Sequence, residues 1–191
     1  MTEPNFERDR YEGQMNVEER KSLYNLIMGV KPETVFEVGT CRGGGSTYYI
    51  ASALRNIGKG LLYTSENKQE FYDYAITLYN GAPDMAGLKQ YVSFHFGDSE
   101  KVFMPILPNV VKPMVVFLDG GASSIKMLYD FTMFRPYMPI GSFLACHDWD
   151  NGKTYILKYV LEKDTFDWQP IHEVLGFKVF KRIADVHAQN T

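Results

Sequence analysis

Apolar residues along this chain alternate between two spacings. Five short runs are nearly continuous: Thr34–Val38, Leu61–Ser65, Tyr91–Phe96, Met114–Leu118 and Ser142–Cys146. Rich in Val, Phe, Leu and Tyr and bounded by turn residues, they predict buried strands, and Met114–Leu118 has the two-sided apolarity of a parallel sheet. Between them the apolar positions recur every three or four residues, as on one face of a helix. Leu23, Leu26 and Ile27 mark a helix over Val17–Gly29, which Gly29 stops; Tyr48–Leu54 continues a second. Phe71, Tyr74, Ala75 and Leu78 mark a third over Lys68–Tyr79, and another begins at Glu100. Met127, Leu128, Phe131 and Phe134 mark one over Ile125–Arg135, and Lys153–Leu161 forms the last. The end differs in kind. Trp168–Val174 and Phe177–Arg182 flank Leu175-Gly176 and predict an antiparallel edge hairpin. Strand and helix alternation closed by a hairpin predicts an α/β domain with a mostly parallel, seven-stranded sheet. Residues 1–191 read as one domain, with 1–14 a flexible arm and 183–191 a flexible tail.

Composition narrows the class. With 191 residues, 45% of them hydrophobic and 23% charged, the chain has an ordinary globular balance. A net charge of −3 offers no electrostatic footprint for nucleic acid or an anionic membrane. No apolar run approaches the roughly 20 residues that span a bilayer, and no signal-like apolar core opens the chain. Cys41 and Cys146 are too few for a disulfide framework and suit a reducing, cytoplasmic setting.

The chemistry gathers where the strands end. Glu37-x-Gly39-x-x-x-Gly43 leads from the first strand into a glycine-rich turn, and Ser46-Thr47 stands where a helix would be capped. Glycine permits positive φ and close approach of a ligand, and helix-opening amides offer donors there. The G-x-G-x-x-G of dinucleotide sites is absent. A carboxylate is awkward beside a pyrophosphate but suits a cation such as S-adenosylmethionine, with its ammonium and sulfonium. Glu66, 29 residues on, ends the second strand, where a carboxylate can take both hydroxyls of a ribose. Asp98-Ser99 follows the third strand, Asp119 the fourth and His147-Asp148 the fifth. Ligands of open α/β sheets bind at that edge.

Glu-x-Gly-Thr-x-x-Gly resembles motif I of the class I S-adenosylmethionine-dependent methyltransferases. Asp98-Ser99 is similar to their loop against the adenine. The resemblance implies their Rossmann-like sandwich and a cofactor site of Glu37, Gly39, Thr40, Gly43, Ser46, Glu66, Asp98, Ser99 and Asp119. Asp119 and His147-Asp148, 28 residues apart, resemble the acceptor side of macrocin- and catechol-type O-methyltransferases. That implies Asp119, His147 and Asp148 as catalytic residues and as ligands of a divalent ion, Mg²⁺ or Mn²⁺, which lowers a hydroxyl's pKa. The macrocin-like segment D-G-D-H-S-Y is here Asp119-Gly-Gly-Ala-Ser-Ser124, with Asp130 as the distal acid. Gly121, Ala122 and Ser124 thus stand where a second acid, a histidine and a tyrosine would carry polar groups. His147 stands where the catechol type has a carboxylate.

The function expected is O-methylation of a small hydroxylated molecule, a sugar or secondary metabolite, with no nucleic-acid or membrane partner. A homodimer could supply a wall of the acceptor pocket. The alternatives are a module that holds S-adenosylmethionine without turnover and, less favoured, a Rossmann-like oxidoreductase. Bland roles stay open: Asp119 and Asp98 as helix caps, His147 as a hydrogen-bonded loop histidine, Trp149 as packing, and Lys126 and Lys153 as solvated lysines.

Overall fold

A computed structural model describes residues 3–7, 14–121 and 123–185. Ala122 and His187 lie outside the described residues. The five apolar runs form parallel strands: β1 (Thr34–Val38), β2 (Leu61–Glu66), β3 (Val92–Phe96), β4 (Met114–Leu118) and β5 (Phe143–Cys146). β6 (Trp168–Val174) and β7 (Phe177–Arg182) form the hairpin. Among the described residues these make one sheet in the order β3-β2-β1-β4-β5-β7-β6, with β7 antiparallel to both neighbours. The helices are α1 (Val17–Val30), α2 (Ser46–Ile57), α3 (Gln69–Gly81), α4 (Ser99–Phe103), α5 (Ser124–Phe134) and α6 (Tyr155–Lys163). The chain runs outward from β1 to β2 and β3, then crosses back to β4. The carboxyl ends of β1 and β4 therefore border a topological switch point, where such sheets bind ligands.

Each strand feeds two cores, as the period of two in side-chain direction requires. Val35, Leu62, Val115, Phe117 and Phe177 pack with α1 and α2 on one face. Phe36, Met114, Val116, Leu118 and Leu144 pack on the other with Phe103, Met127, Phe131 and Phe134. Phe36 sits 5.1 Å from the Phe103 ring and 5.2 Å from Phe134, the tilted and edge-on contacts aromatic rings favour. Glu37, two residues from Val35, faces α2.

Two local expectations are corrected, and residues 1–2, 8–13 and 186–191 of the expected arm and tail lie outside the described residues. Gly29 does not stop α1. The helix runs on to Val30 and ends where Lys31 takes a left-handed φ of 51° and returns its amide to the Ile27 carbonyl. On α3, Tyr74 is exposed and Tyr79 buried, because Tyr79 reaches the glycine turn and gives its hydroxyl to the Gly43 carbonyl. Of the first fourteen residues, 3–7 dock on the helices: Phe6 lies 5.6 Å from Tyr49 and 5.5 Å from Tyr24.

Glycine is demanded at the switch point. Gly39 has φ +99°, and a Cβ there would stand 2.8 Å from the Gly120 amide nitrogen and 2.9 Å from its Cα. Gly120 in turn lies against Val38. Gly39→Ala should lower the unfolding free energy from urea titration by at least about 2 kcal/mol, from left-handed strain and overpacking together. Gly29→Ala, in an open helical position, should instead raise stability by about 0.5–1 kcal/mol. Equal effects of the two would contradict this packing.

Candidate functional site

The end of β1 carries a fully buried acid. Glu37 is fully buried, and its Oε2 accepts the hydroxyls of Thr47 and Thr64, each at 2.7 Å. Since Thr64 donates to Glu37, Thr40 donates to Thr64, at 2.5 Å. Oε1 is buried with no hydrogen-bond partner. Burial pushes the Glu37 carboxyl up to about 7, against the lowering pull of Ser46, Thr64 and Thr47, and the Asp119 charge adds to the rise. Thr47 is thus spent on Glu37 rather than on a cap; the N-cap of α2 is Gly45, with no side-chain cap bond.

The other residues assigned to the cofactor share this edge. Glu66 is buried and accepts the Cys41 amide at 2.8 Å on Oε2 and the Lys68 amide at 2.9 Å on Oε1. Each oxygen keeps a lone pair for a hydroxyl. Gly39 and Thr40 give their amides to the Ser65 carbonyl, which ties the turn to β2. Gly43 lies against α3, where a Cβ would meet that of Ala75 at 3.0 Å, so its role is also helix packing. Ser46 is buried at the start of α2. Asp98 occupies the N-cap position of α4 without capping it; its Oδ1 accepts from Asn67 at 3.1 Å. Ser99 is buried, donates to Asp130 at 2.5 Å and accepts from Lys126 at 2.7 Å, so its hydroxyl is engaged.

β4 and β5 bring Asp119, His147 and Asp148 together, with one donor atom of each within 4.8 Å of the others. His147 Nδ1 is 3.0 Å from Asp119 Oδ1, and Nε2 is 3.2 Å from Glu19 Oε2. Burial disfavours the imidazolium, but the Asp119 hydrogen bond and charge, with Asp148 and Glu19, outweigh it and push His147 up to about 9. Each ring nitrogen thus faces a carboxylate oxygen, an arrangement that favours the imidazolium. Lys153 places Nζ 2.6 Å from Asp148 Oδ2, 3.1 Å from Asp119 Oδ1 and 2.8 Å from the Asp119 carbonyl. As arranged, the ammonium holds one oxygen of each carboxylate, so a divalent ion on these donors would lie beside a fixed positive charge, which disfavours it. Asp119 accepts these contacts rather than capping α5, whose N-cap bond comes from Ser123. Trp149 is buried against Phe180, which leaves it a packing role.

Two members of the site escaped the sequence reading. Lys153 reads as a solvated lysine, yet its side chain is only 16% exposed. Its one sequence signal is its position five residues after Asp148, beyond a glycine. Glu19 reads as an acid in the first turn of a helix. It does form a capping box with Asn16, and it also accepts the Gly176 amide at 2.9 Å and meets His147. Those last partners are more than a hundred residues away, beyond the reach of any local pattern.

A family model described as a methyltransferase domain matches residues 36–149, from β1 through the Asp119–Asp148 cluster. No curated protein matches the chain in sequence. Among solved structures, the chain is similar in fold to the O-methyltransferase TomG of Streptomyces achromogenes, involved in tomaymycin synthesis and solved with S-adenosylmethionine. The TM-score is 0.71 at 20% identity, over 89% of this chain and 82% of that one. An O-methyltransferase from Bacillus cereus, in complex with S-adenosylhomocysteine, gives 0.69 at 15% identity over 88% and 83%. An rRNA methylase from Streptococcus thermophilus gives 0.62 at 13% identity over 84% and 94%.

The raised pKa of His147 has a measurable consequence. A base held charged by the fold contributes stability that is fully present below its unfolded pKa, near 6.5, and lost as pH rises through 9. The His147 ring resonances should titrate near pH 9, and His147→Gln should flatten the fall of stability between pH 6.5 and 9. A His147 midpoint at or below 6.5 would contradict the double carboxylate contact.

Proposed function

We propose, from the premise that this chain belongs to the methyltransferase-domain family, that it binds S-adenosylmethionine and methylates a hydroxyl of a small molecule. The observation that carries the reading is Glu37: a fully buried carboxylate, held by two threonine hydroxyls, with one oxygen unpartnered. A buried charge is costly unless a counter-charge or full hydrogen bonding meets it. The cation of S-adenosylmethionine supplies one. Gly39, where no Cβ fits beside Gly120, lets the ends of β1 and β4 close together at this edge. Glu66 retains lone pairs for ribose hydroxyls, while Asp98 is exposed at the neighbouring strand end, on the adenine side.

When bound, S-adenosylmethionine offers an electrophilic methyl carbon and leaves as S-adenosylhomocysteine once an acceptor oxygen has taken it. The residues on the acceptor side are Asp119 and Asp148. Their carboxylates are the groups on hand to accept the proton of the acceptor hydroxyl. His147 holds Asp119 in place instead of acting as base. Gly121 brings no side chain, so no further titratable group is assigned there. The net charge of −3 favours a small acceptor over a nucleic acid.

Calorimetric titration with S-adenosylhomocysteine tests this. Affinity should be roughly tenfold weaker at pH 6 than at pH 8, because the Glu37 proton, held up to about 7, must leave before the ligand's cation is met. Glu37→Gln should weaken binding by about 1.5–3 kcal/mol and abolish that pH dependence. The same variant should unfold at higher denaturant than wild type above pH 7, since an acid with a raised pKa costs stability once it ionises. Failure of wild type to bind would remove the proposal. Binding with no transfer of a labelled methyl group to any hydroxylated acceptor would leave a cofactor-holding module.

A further inference from the structure

We infer that the Lys153 ammonium is the fixed cation of the acceptor site, seated between Asp119 and Asp148 in the place a divalent ion would otherwise take. The inference rests on the methyltransferase reading for its role and on geometry for its substance. Three N–H groups of the ammonium meet three acceptors: Asp148 Oδ2 at 2.6 Å, the Asp119 carbonyl at 2.8 Å and Asp119 Oδ1 at 3.1 Å. Nothing is left over for another partner, so the ammonium acts on an acceptor hydroxyl through its charge.

The loop that delivers it is closed on itself. The Asn151 side chain accepts the Lys153 amide at 2.8 Å. The buried Thr154 hydroxyl points back to the carbonyls of Asp148 and Trp149 at 3.1 and 3.0 Å. Lys153 and Asp148 are therefore positioned by one rigid turn. A Mg²⁺ or Mn²⁺ ion takes carboxylate oxygens at about 2.1 Å. On Asp119 and Asp148 it would lie a few ångström from that ammonium, at strong mutual repulsion. The third candidate ligand is closed as well, since each His147 ring nitrogen faces a carboxylate oxygen. Transfer then proceeds in the presence of a chelator, with the two carboxylates kept close together by a side chain instead of a metal.

Manganese is the probe. Free Mn²⁺ is followed by electron paramagnetic resonance in titrations of wild type, Lys153→Met and Lys153→Gln, each with S-adenosylhomocysteine present. Wild type should leave Mn²⁺ free up to about 1 mM, while the variants, with two carboxylates relieved of their cation, should bind it at least about tenfold more tightly. Binding by wild type well below that concentration overturns the inference. So does either variant if it is folded by circular dichroism and binds Mn²⁺ no better than wild type. Should both variants fail to fold, the wild-type titration decides alone. S-adenosylhomocysteine binding by the same wild-type sample reports separately on the methyltransferase reading. Its absence, with Mn²⁺ still excluded, would leave Lys153 as the cation of this cluster and remove the reaction around it.

Discussion

Three parts of the chain converge on one residue, Asp119 at the tip of β4, two of them on its carboxylate. His147 from the end of β5 and Lys153 from the following loop both meet it, and its own amide bonds the Val38 carbonyl at the end of β1. A carboxylate largely withdrawn from water must be met by donors or positive charge. Satisfying this one fixes where the β5 loop runs, where the helix after it begins, and what stands on the acceptor side. Through His147 the linkage extends to Glu19, which joins the start of α1 to the hairpin turn at Gly176. An electrostatic chain thus ties the first helix, the middle of the sheet and the last two strands.

Glu37 is fully buried, and it is met differently. Two hydroxyls serve one oxygen, the other is unpartnered, and burial holds the acid up to about 7. One strand away, Asp119 is surrounded by cations. The two halves of the edge are therefore in opposite electrostatic states: a lone acid ready for a cation beside β1, and acids already neutralised beside β4 and β5. In the proposed function the first meets the charge of S-adenosylmethionine; the second has its counter-charge built in.

Much of the architecture is legible from the chain alone, and for a plain reason. Met114–Leu118 is apolar at every position because both faces of a central parallel strand are buried, and a fully buried run bounded by turn residues has few other uses. The hairpin follows from two strand-like runs around a tight turn. Tyr74 and Tyr79 show where such reading ends. Both fit a helical stripe by spacing, and only the position of the glycine turn selects which of them is buried.

The sequence by itself determined the α/β class, the order of elements and the presence of acids at the strand ends. Those depend on local spacing and on the chemistry of single residues. Only the tertiary structure decided how the acids are partnered. Glu19 and His147 are 128 residues apart and Asp119 and Lys153 are 34 apart. Whether an acid at a strand end meets an imidazole, an ammonium or a ligand depends on which loops fold over that edge. Lys153 has the same composition as any solvated lysine. The turn that closes behind it makes it the cation of the site.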